Sequence, residues 1–527
     1  MLHLKNSSLA IATSTIGLAN TAIYLEGASS LTMSGSTLAT TTTAILSSSS
    51  LGSTIANTSF INNTHFAVSN TNAQIDARNN WWGDDSGPTI ASNPGGIGNA
   101  ISSNVLYDPW TAHIPPNQAP SLSYINTSGY TTDGVEPNTS FKTQSLPVFK
   151  VAYSDSEGTV PNYINLIVAS STSATYALAT GTGEVYEFTA ATSTFAKASY
   201  TYHFEASDGA NTARLPASGE LSFAVKNVPV ILVPGILGSE LYNGNDKIWA
   251  DSLELLTPSD NFMNILTMNP DGIISDNQIT IGDILRSAPF IDIFTGLISQ
   301  LSGSEYTEDT DLFVAPYDWR LDVGISSGDL KTKIDTVKNQ TGSNKVDIVA
   351  HSLGGLLAKQ YILDNDASSI NKLIFLGTPH LGATKAAKAL LFGDNLNIRV
   401  LNAERVKYIS QNMLSVYELL PSRVFISQNG RYYFDESQQI LFDFDQTKQF
   451  LVDSGLNPIL LQNAEDFHSN ALDNFNVSGI DAYNINGCNT PTITNIIKRN
   501  ANEYLVYLYE GDGTVPLASS KAINVAA

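Results

Sequence analysis

The sequence predicts three domains: a parallel β-helix over residues 1–110, a β-sandwich over 111–226, and an α/β domain with a helical insertion over 227–527. Three observations lead to this prediction: a 22-residue repeat of apolar positions, a series of short alternating strands, and a strand–serine–helix turn around Ser352. A chain of 527 residues is too long for one core, which agrees with several domains.

The composition excludes several classes of partner. The net charge is −22 with only 27 Lys plus Arg, which argues against nucleic acid and anionic membranes but not against neutral lipid. The single cysteine, Cys488, rules out an internal disulfide and makes a cysteine-based metal site unexpected. The sequence contains no run of 18 apolar residues, so no transmembrane segment is predicted. Abundant Ser, Thr and Asn with sparse charge are typical of a secreted or surface-displayed prokaryotic protein.

The first domain follows from a fixed spacing of apolar residues. Ile11, Met33 and Ile55 lie 22 residues apart, and a second series, Ile16, Leu38 and Phe60, has the same spacing. A third series starts with Ile23 and Ile45 and continues at Val68 after a one-residue insertion. A 22-residue unit is too short for a helical hairpin, and its Ser, Thr, Ile and Val favour strands. We therefore predict stacked coils of a parallel β-helix.

The last coil contains Asn79-Asn-Trp-Trp-Gly-Asp-Asp-Ser-Gly-Pro88. It resembles the terminal coil of right-handed β-helix proteins of the pectate-lyase superfamily. Trp81 and Trp82 are expected to cap the open end of the solenoid. The resemblance also raises a calcium site at Asp84 and Asp85, but so few coils leave little groove for a sugar, and a structural cap is favoured.

The second domain begins after a linker marked by Pro115, Pro116 and Pro120. About seven short strands with turn signals between them predict a sandwich. The segment 200–209 resembles the late strands of bacterial immunoglobulin-like surface modules, and His203 is expected to be an ordinary sheet residue within it. We expect a spacer, or a weak binder of carbohydrate or of a partner.

The third domain centres on Ser352. Val346, Ile348 and Val349 predict a buried strand, and the residues from Leu356 onwards predict a helix. A serine between them, flanked by small residues two positions away, is a candidate nucleophile, although Ala350 replaces the usual first glycine. The N–H of Leu353 would then be one oxyanion donor. A chance serine in a strand–helix turn is the alternative.

Two further segments extend this candidate site. Val228–Leu241 reads as a buried strand followed by a glycine-rich turn, which is where a second oxyanion N–H is expected; we assign it to Leu237. Asp512 follows the apolar strand 504–509 and is a candidate for the acid that orients an imidazole. The alternatives are a plain strand-to-helix turn at the first segment and a turn aspartate at the second.

Six segments in order carry a resemblance to the lecithin:cholesterol acyltransferase family, over about 290 residues: Val233-Pro-Gly-Ile-Leu-Gly-Ser239, Tyr317-Asp-Trp-Arg320, Ala350-His-Ser-Leu-Gly-Gly355, Gly377-Thr-Pro-His-Leu-Gly382, Leu419-Leu-Pro-Ser422 and Gly511-Asp-Gly-Thr-Val-Pro516. The resemblance implies an α/β-hydrolase with Ser352 as nucleophile, Asp512 as acid, and Leu237 and Leu353 as oxyanion donors. It also implies that the insertion at about 383–503 forms a cap and lid over an acyl pocket. No metal or cofactor is implied.

The resemblance requires a histidine after the acid, and none follows Asp512. His351 belongs to the serine turn, His380 reads as structural, and His468 in the insertion is a weak candidate for the base. We therefore expect that the chain is cut at both ends and that its triad is incomplete.

Two functions follow as hypotheses. The first is a serine ester hydrolase or O-acyltransferase that acts on lipid-like esters through an acyl-enzyme. The second is a surface adhesion or carbohydrate-binding protein with a degenerate or incomplete hydrolase domain. The expected partners are a lipid or acyl-ester substrate and, for the N-terminal domains, a cell-surface glycan.

Overall fold

The structure is a computed structural model that describes residues 1–112, 117–156, 158–181, 184–251, 261–272, 279–288, 291–395, 401–429, 432–500, 503–523 and 525. Pro115 and Pro116 of the expected linker lie outside these residues. The chain divides into two compact units. The first comprises Met1–Leu122, Tyr153–Tyr163 and Ala206–Arg214; the second comprises Ser123–Ala152, Ile164–Glu205 and Leu215–Ala527.

Twelve short strands make up most of the first unit: β1 Leu2–Lys5, β2 Ser8–Ala12, β3 Thr15–Gly17, β4 Thr21–Glu26, β5 Ser30–Ser34, β6 Thr37–Ala39, β7 Thr43–Ser47, β8 Ser53–Ala56, β9 Ser59–Ile61, β10 Phe66–Asn70, β11 Ile75–Asp76 and β12 Val105–Leu106. They form three parallel sheets, with orders β1-β4-β7-β10, β12-β11-β8-β5-β2 and β3-β6-β9. Each strand pairs with the strand one repeat further along the chain, as stacked coils require. The handedness of the coil stays a prediction.

The register predicted from the 22-residue spacing is confirmed. Ile11 pairs with Met33 and Met33 with Ile55. The second and third series pair in the same way, including the step that spans the one-residue insertion: Ile16↔Leu38, Leu38↔Phe60, Ile23↔Ile45 and Ile45↔Val68. Apolar side chains of successive strands are thus stacked on one another in the interior.

The tandem tryptophans at the end of the coils have different environments. Trp82 is fully buried and stacks on Phe60 with ring centroids 4.9 Å apart and an interplanar angle of 7°. It therefore continues the internal column, whereas Trp81 is half-buried and forms a backbone bridge to Ser59. The Asp84 carboxylate accepts hydrogen bonds from the N–H and hydroxyl of Ser86 at 2.9 and 2.6 Å, which makes it part of a turn.

The middle region has eleven strands in two sheets: β13 Ser121–Ser123, β14 Val135–Glu136, β15 Thr139–Phe141, β16 Val148–Ser154, β17 Tyr163–Ala169, β18 Ser173–Ala177, β19 Ala179–Thr180, β20 Val185–Thr189, β21 Ala198–Ser207, β22 Thr212–Leu215 and β23 Leu221–Lys226. The sheet orders are β13-β16-β20-β19 and β15-β23-β21-β17-β18. Phe149 of the first sheet packs edge-on against Tyr202 and Phe223 of the second, at 5.2 and 5.1 Å. The immunoglobulin-like assignment stays a prediction.

The C-terminal region has fourteen strands: β24 Val230–Val233, β25 Ser239–Asn243, β26 Asp246–Trp249, β27 Ile279–Ile284, β28 Ser287–Ala288, β29 Ile291–Asp292, β30 Leu312–Val314, β31 Val346–His351, β32 Ile370–Leu376, β33 Tyr433–Asp435, β34 Ile440–Leu441, β35 Asp481–Ile485, β36 Thr490–Asn500 and β37 Glu503–Gly511. Its helices are α1 Thr295–Gly303, α2 Val323–Thr341, α3 Leu353–Asn365, α4 Thr384–Phe392, α5 Ala403–Ser410, α6 Leu414–Tyr417, α7 Arg423–Asn429, α8 Phe444–Asp453, α9 Pro458–Phe467 and α10 Leu517–Ser520. A 3-10 turn covers Asn261–Leu266 and a π-helical turn covers His468–Leu472.

Five parallel strands in the order β30-β24-β31-β32-β35 form the central sheet of this region. Helix α2 buries Leu330, Ile334 and Val337, as their spacing predicts. The region is multistranded and α/β-hydrolase-like, because the serine turn predicted at Ser352 connects the middle strand β31 to helix α3.

The expected insertion at 383–503 is interrupted by a strand of the central sheet. It contains β35, because the alternating Asp481–Ile485 segment pairs with β32. The insertion also contains the short helices α5 and α6, and Asn412 between them donates a side-chain bond to the Met268 carbonyl at 3.1 Å.

The middle region makes polar contacts with the amino ends of the central strands. Lys197 Nζ lies 2.6 Å from Asp311 Oδ2, just before β30. Gln144 donates to the Lys345 carbonyl at 3.2 Å, just before β31, and Asn371 at the start of β32 donates to Thr143 at 3.3 Å. A loosely tethered spacer would lack these contacts. They lie at the end of the sheet opposite to Ser352, which follows the carboxyl end of β31.

One prediction concerns Asp347, which is buried on β31 and accepts a bond from Asn371 at 2.7 Å. Burial raises its pKa to about 6, against the effects of Asn371 and Lys372. The folded state therefore holds a proton that the unfolded state releases between pH 4 and 6, so stability falls as pH rises through this window. We expect Asp347→Asn to remove this dependence and to stabilise the domain at pH 7 by up to about 3 kcal/mol.

Thermal unfolding between pH 4 and 8 measures this effect, and Asp453→Asn, on an exposed position of α8, serves as the matched control. An unchanged pH profile in Asp347→Asn would contradict the assignment of the buried charge.

Candidate functional site

The turn at Ser352 needs glycine on its helical side. Ser352 has φ 53° and ψ −123°, a strained conformation that exposes a side chain at the end of a strand. A Cβ on Gly354 would lie 2.4 Å from the Pro234 carbonyl oxygen, and one on Gly355 would lie 2.0 Å from Thr378 Oγ1. Only glycine lets helix α3 start this close to the neighbouring loops.

The glycine-rich turn after β24 lies directly against Ser352. A Cβ on Gly235 would lie 2.7 Å from the Ser352 Cβ and 3.1 Å from His351 Nδ1. Leu237 in the same turn has a φ of 62°. The two backbone segments that carry the predicted oxyanion donors, Leu237 and Leu353, are thus brought together at the carboxyl edge of the sheet.

Three aromatic donors hold the carbonyls of this turn. The Tyr317 hydroxyl donates to the Pro234 carbonyl at 3.1 Å, Trp249 Nε1 to the Leu237 carbonyl at 2.8 Å, and Trp319 Nε1 to the Ser239 carbonyl at 3.1 Å. These bonds fix the direction of each peptide unit, and therefore of the N–H groups between them. Sequence reasoning treated the Tyr-Asp-Trp-Arg segment only as part of a resemblance; aromatic donors in a buried segment were the signal for this role.

The charged residues of the same segment form a buried pair. Arg320 binds Asp318 through Nε to Oδ1 at 2.9 Å and through Nη2 to Oδ2 at 2.7 Å. Arg320 Nη1 also donates to the Leu266 carbonyl at 3.4 Å. A bidentate pair of this kind has a fixed geometry, so it orders the backbone that carries Tyr317 and Trp319.

Asp512 reaches the same edge by a different route from the one expected. The strand before it, β37, pairs with β36 in a separate sheet of order β34-β33-β36-β37. Its Oδ1 accepts the N–H groups of Thr514 and Val515 at 2.8 and 2.7 Å. A Cβ on Gly377, which follows β32, would lie 3.1 Å from Asp512 Oδ2. Among the described residues, Oδ2 has no hydrogen-bond partner, and neither has the Ser352 hydroxyl.

Ser352 opens into a cavity of about 290 Å³. Most of its lining is apolar, from the Leu237 turn, α4, α5 and α6; examples are Ile236, Leu237, Ala386, Val406, Met413 and Val416. Thr514 and Val515, which hold the Asp512 carboxylate, line it as well. The one buried acid in the lining, Asp394, is paired with Lys388 at 2.8 Å. The cavity suits an apolar chain that ends in a reactive group at Ser352.

The candidate base His468 does not line this cavity. Its Nδ1 lies 2.6 Å from Asp473 Oδ1 and its Nε2 lies 2.8 Å from the Glu418 carbonyl oxygen. Since a carbonyl can only accept, Nε2 carries a proton and cannot take one from a serine. His468 faces a second cavity, of about 440 Å³, that Ser352 does not line.

The other two histidines near the serine turn have different environments. His380 is fully buried, packs edge-on against Phe375 at 4.9 Å, and has its pKa lowered by burial, as a structural residue would. His351 lines the cavity. Burial lowers the pKa of its imidazole, and the negative charge of the Asp512 carboxylate opposes that effect. Its ring lies edge-on to Phe294 at 5.9 Å and beside Gly235.

Lys359 on α3 is a buried charge that sequence reasoning missed. It is 1% exposed, donates to the Leu472 carbonyl at 3.1 Å, and has its pKa lowered to about 7 by burial, against the attraction of Asp473. A lysine on the inner face of the serine helix was the available signal. In the described part of the chain, no three His, Cys, Asp or Glu side chains are grouped as metal ligands, and no helix is both long and apolar enough to cross a membrane.

We predict that Tyr317→Phe loosens the Leu237 turn. Removal of the hydroxyl leaves the buried Pro234 carbonyl without this donor, which costs about 1–3 kcal/mol. The melting temperature of the α/β region should fall, and amide hydrogen exchange should quicken across residues 234–239. Tyr433→Phe is the matched control, because the buried Tyr433 hydroxyl has no hydrogen-bond partner among the described residues. Equal effects of the two substitutions would refute the role of Tyr317.

Comparison with known proteins places these features in a family context. The family model of lecithin:cholesterol acyltransferase matches residues 271–507. That range includes Ser352 and Leu353, whereas Leu237 and Asp512 lie outside it.

Three curated proteins show the extent of the similarity. Human lysosomal phospholipase A and acyltransferase is 28% identical over 243 residues, 38% of this chain and 58% of that protein. A phospholipase A(1) of Arabidopsis thaliana is 30% identical over 189 residues, which are 29% of this chain and 42% of that protein. Human phosphatidylcholine-sterol acyltransferase is 26% identical over 236 residues, which are 37% of this chain and 53% of that protein. The chain therefore spans about half the length of the curated relatives it matches.

Among solved structures, the Tle4–Tli4 complex matches with a TM-score of 0.35 and 18% identity, covering 56% of this chain and 89% of the matched chain. From the family match and the curated relatives, the C-terminal half of the chain is similar to the lecithin:cholesterol acyltransferase family.

Proposed function

We propose that the C-terminal region is a serine ester hydrolase or O-acyltransferase that acts on lipid-like esters through an acyl-enzyme. The observation that carries this proposal is the position of Ser352: a strained turn at the carboxyl end of the central sheet directs it into a largely apolar cavity of about 290 Å³. A lipid acyl ester has the matching shape, an apolar chain joined to a reactive carbonyl.

In this proposal Ser352 Oγ attacks the ester carbonyl, and the N–H groups of Leu237 and Leu353 bind the oxyanion. Fixed donors stabilise charge that develops in the transition state without reorganising at the moment of reaction. The bonds from Tyr317 and Trp249 support this role, since they hold the carbonyls on either side of the Leu237 turn. The alcohol leaves, and water or an acceptor alcohol then attacks the acyl-enzyme.

Asp512 would orient the imidazole that takes the proton from Ser352. Its Oδ1 is held by two backbone N–H groups, which leaves Oδ2 for an imidazole N–H. None of the described histidines suits the role: His468 has both nitrogens engaged elsewhere, and His351 is directed toward Phe294 and Gly235. The proposal therefore assigns the imidazole that pairs with Oδ2 to none of these described histidines.

The choice between hydrolysis and acyl transfer depends on the acceptor. The relatives named above include a phospholipase and acyltransferase and a sterol acyltransferase, so both outcomes belong to the proposal. The proposal also includes a location outside the cell or at its surface. In this proposal a right-handed β-helix and an immunoglobulin-like domain display the hydrolase region.

Ester hydrolysis with added imidazole tests the proposal. We expect slow release of p-nitrophenol from medium-chain p-nitrophenyl esters. The protein-dependent rate, after subtraction of the release by imidazole alone, should rise with the concentration of free imidazole, because the small base can take the proton from Ser352. Ser352→Ala should show no protein-dependent rise, whereas Ser469→Ala, at a serine of the second cavity, should behave as the unmodified chain. Addition of glycerol or a sterol to the assay separates transfer from hydrolysis by the ester formed.

The same assay can favour the second hypothesis, a surface binding protein with a degenerate hydrolase domain. The lack of hydrogen-bond partners for Ser352 Oγ and Asp512 Oδ2 within the described residues is the observation in its favour. If imidazole gives no protein-dependent rise in rate, the enzyme proposal is wrong.

A further inference from the structure

Strand β37 exposes a continuous apolar surface. Five successive residues of this strand are 39 to 65% exposed: Leu505, Val506, Tyr507, Leu508 and Tyr509. Apolar residues scattered singly on a surface need no explanation, but a contiguous group of this kind marks an interaction site. We call these residues 505–509 the β37 patch.

The β37 patch is exposed on both faces of the strand and along one edge. Among the described residues, β37 is the last strand of its sheet and pairs only with β36. Because side chains alternate along a strand, Leu505, Tyr507 and Tyr509 point to one face and Val506 and Leu508 to the other. A flat protein surface would cover one face and leave the other in water. A fluid phase that surrounds the exposed edge of the hairpin formed by β36 and β37 covers both faces.

The charges around the β37 patch select the kind of surface. The patch is flanked by Glu503 and Glu510, and the two cations of the hairpin are already paired: Lys498 lies 3.9 Å from Asp435, and Arg499 lies 3.0 Å from Glu436. No cation of the described hairpin is left to attract anionic lipid, and the net charge of the chain is −22. An uncharged or zwitterionic surface is therefore the complementary one.

The composition of the patch also fits lipid. Tyrosine has an apolar ring and a polar hydroxyl, which suits the boundary between acyl chains and water, and leucine and valine suit the acyl side of that boundary. The two kinds of residue alternate from Val506 to Tyr509.

The hairpin is attached to the wall of the Ser352 cavity. Helix α4 lines that cavity through Ala386 and Ala389. Both ends of the same helix contact the hairpin formed by β36 and β37. Thr384, the first residue of α4, donates to the Thr494 carbonyl at 3.1 Å, and the ring of Phe392, its last residue, lies 4.1 Å from the Tyr504 ring. A surface bound at β37 would thus be held at a fixed distance from the cavity.

We propose that the β37 patch docks the protein on a zwitterionic lipid surface and so brings the Ser352 cavity to esters held in that surface. The proposal rests on the proposed function, because long-chain esters reside in aggregates rather than in water. It adds the step that precedes chemistry: binding to the aggregate through apolar contact, without help from positive charge.

Flotation of the full chain with phosphatidylcholine vesicles tests the proposal. We expect the unmodified chain to bind, with an affinity that changes little between low and high salt. Leu508→Asp and, as a second variant, Tyr507→Asp should weaken binding by about tenfold or more, since each places a charge in the apolar contact. Ile325→Asp is the matched control, because Ile325 on α2 is 62% exposed and lies outside the hairpin.

Three outcomes would overturn the proposal: no binding by the unmodified chain, equal loss in Leu508→Asp and Ile325→Asp, or a strict requirement for anionic lipid. Light scattering gives a fourth, a dimer in solution that Leu508→Asp converts to monomer, which would assign the patch to a second copy. Ser352→Ala should bind vesicles normally, so a failure of the proposed chemistry leaves this test intact. Conversely, Leu508→Asp should keep any hydrolysis of short, water-soluble esters.

Discussion

The site depends on how closely two backbone segments can approach. The turn after β24 contacts the serine turn at Gly235, where a Cβ would overlap the Ser352 side chain, and Gly354 lets helix α3 start against the Pro234 carbonyl. A side chain at either position would separate Leu237 from Leu353 and move both predicted oxyanion donors away from the serine. The strained φ of Ser352 is maintained because the strand before it and the helix after it are both buried.

The rest of the C-terminal region supports that approach. Tyr317, Trp249 and Trp319 fix the carbonyls of the Leu237 turn, and the buried Asp318–Arg320 pair fixes the segment that carries two of them. The described contacts of the middle region are with the amino ends of the strands, whereas Ser352, Asp512 and the apolar cavity lie at the carboxyl edge. Asp512 reaches this edge from a different sheet, and its two N–H donors lie in the turn that also lines the cavity. The site is thus assembled by contacts between elements rather than by any single motif.

Local patterns predicted the elements but not their assembly. The strand–Ser352–helix turn and the 22-residue register followed from the sequence, because both depend on neighbouring residues or on a fixed spacing. Asp481–Ile485 did not read as a central strand, since only pairing with β32 makes it one. The bonds of Trp249 to the Leu237 turn, and of His468 to Asp473 and Glu418, join residues that no local pattern connects. Residue types identified the candidate chemistry, while the engagement of His468 required the folded chain.

Covalent labelling tests the central claim most directly, namely that Ser352 is a nucleophile for which the described residues supply no base. The chain would be treated with a fluorophosphonate probe with and without free imidazole, and the labelled residue would be located by mass spectrometry. The account predicts slow labelling at Ser352 that free imidazole accelerates, because the predicted donors Leu237 and Leu353 are present in both conditions and only the base is added. Equally fast labelling in both conditions would show that the chain already holds a base. A label on another residue, or no label in either condition, would contradict the account.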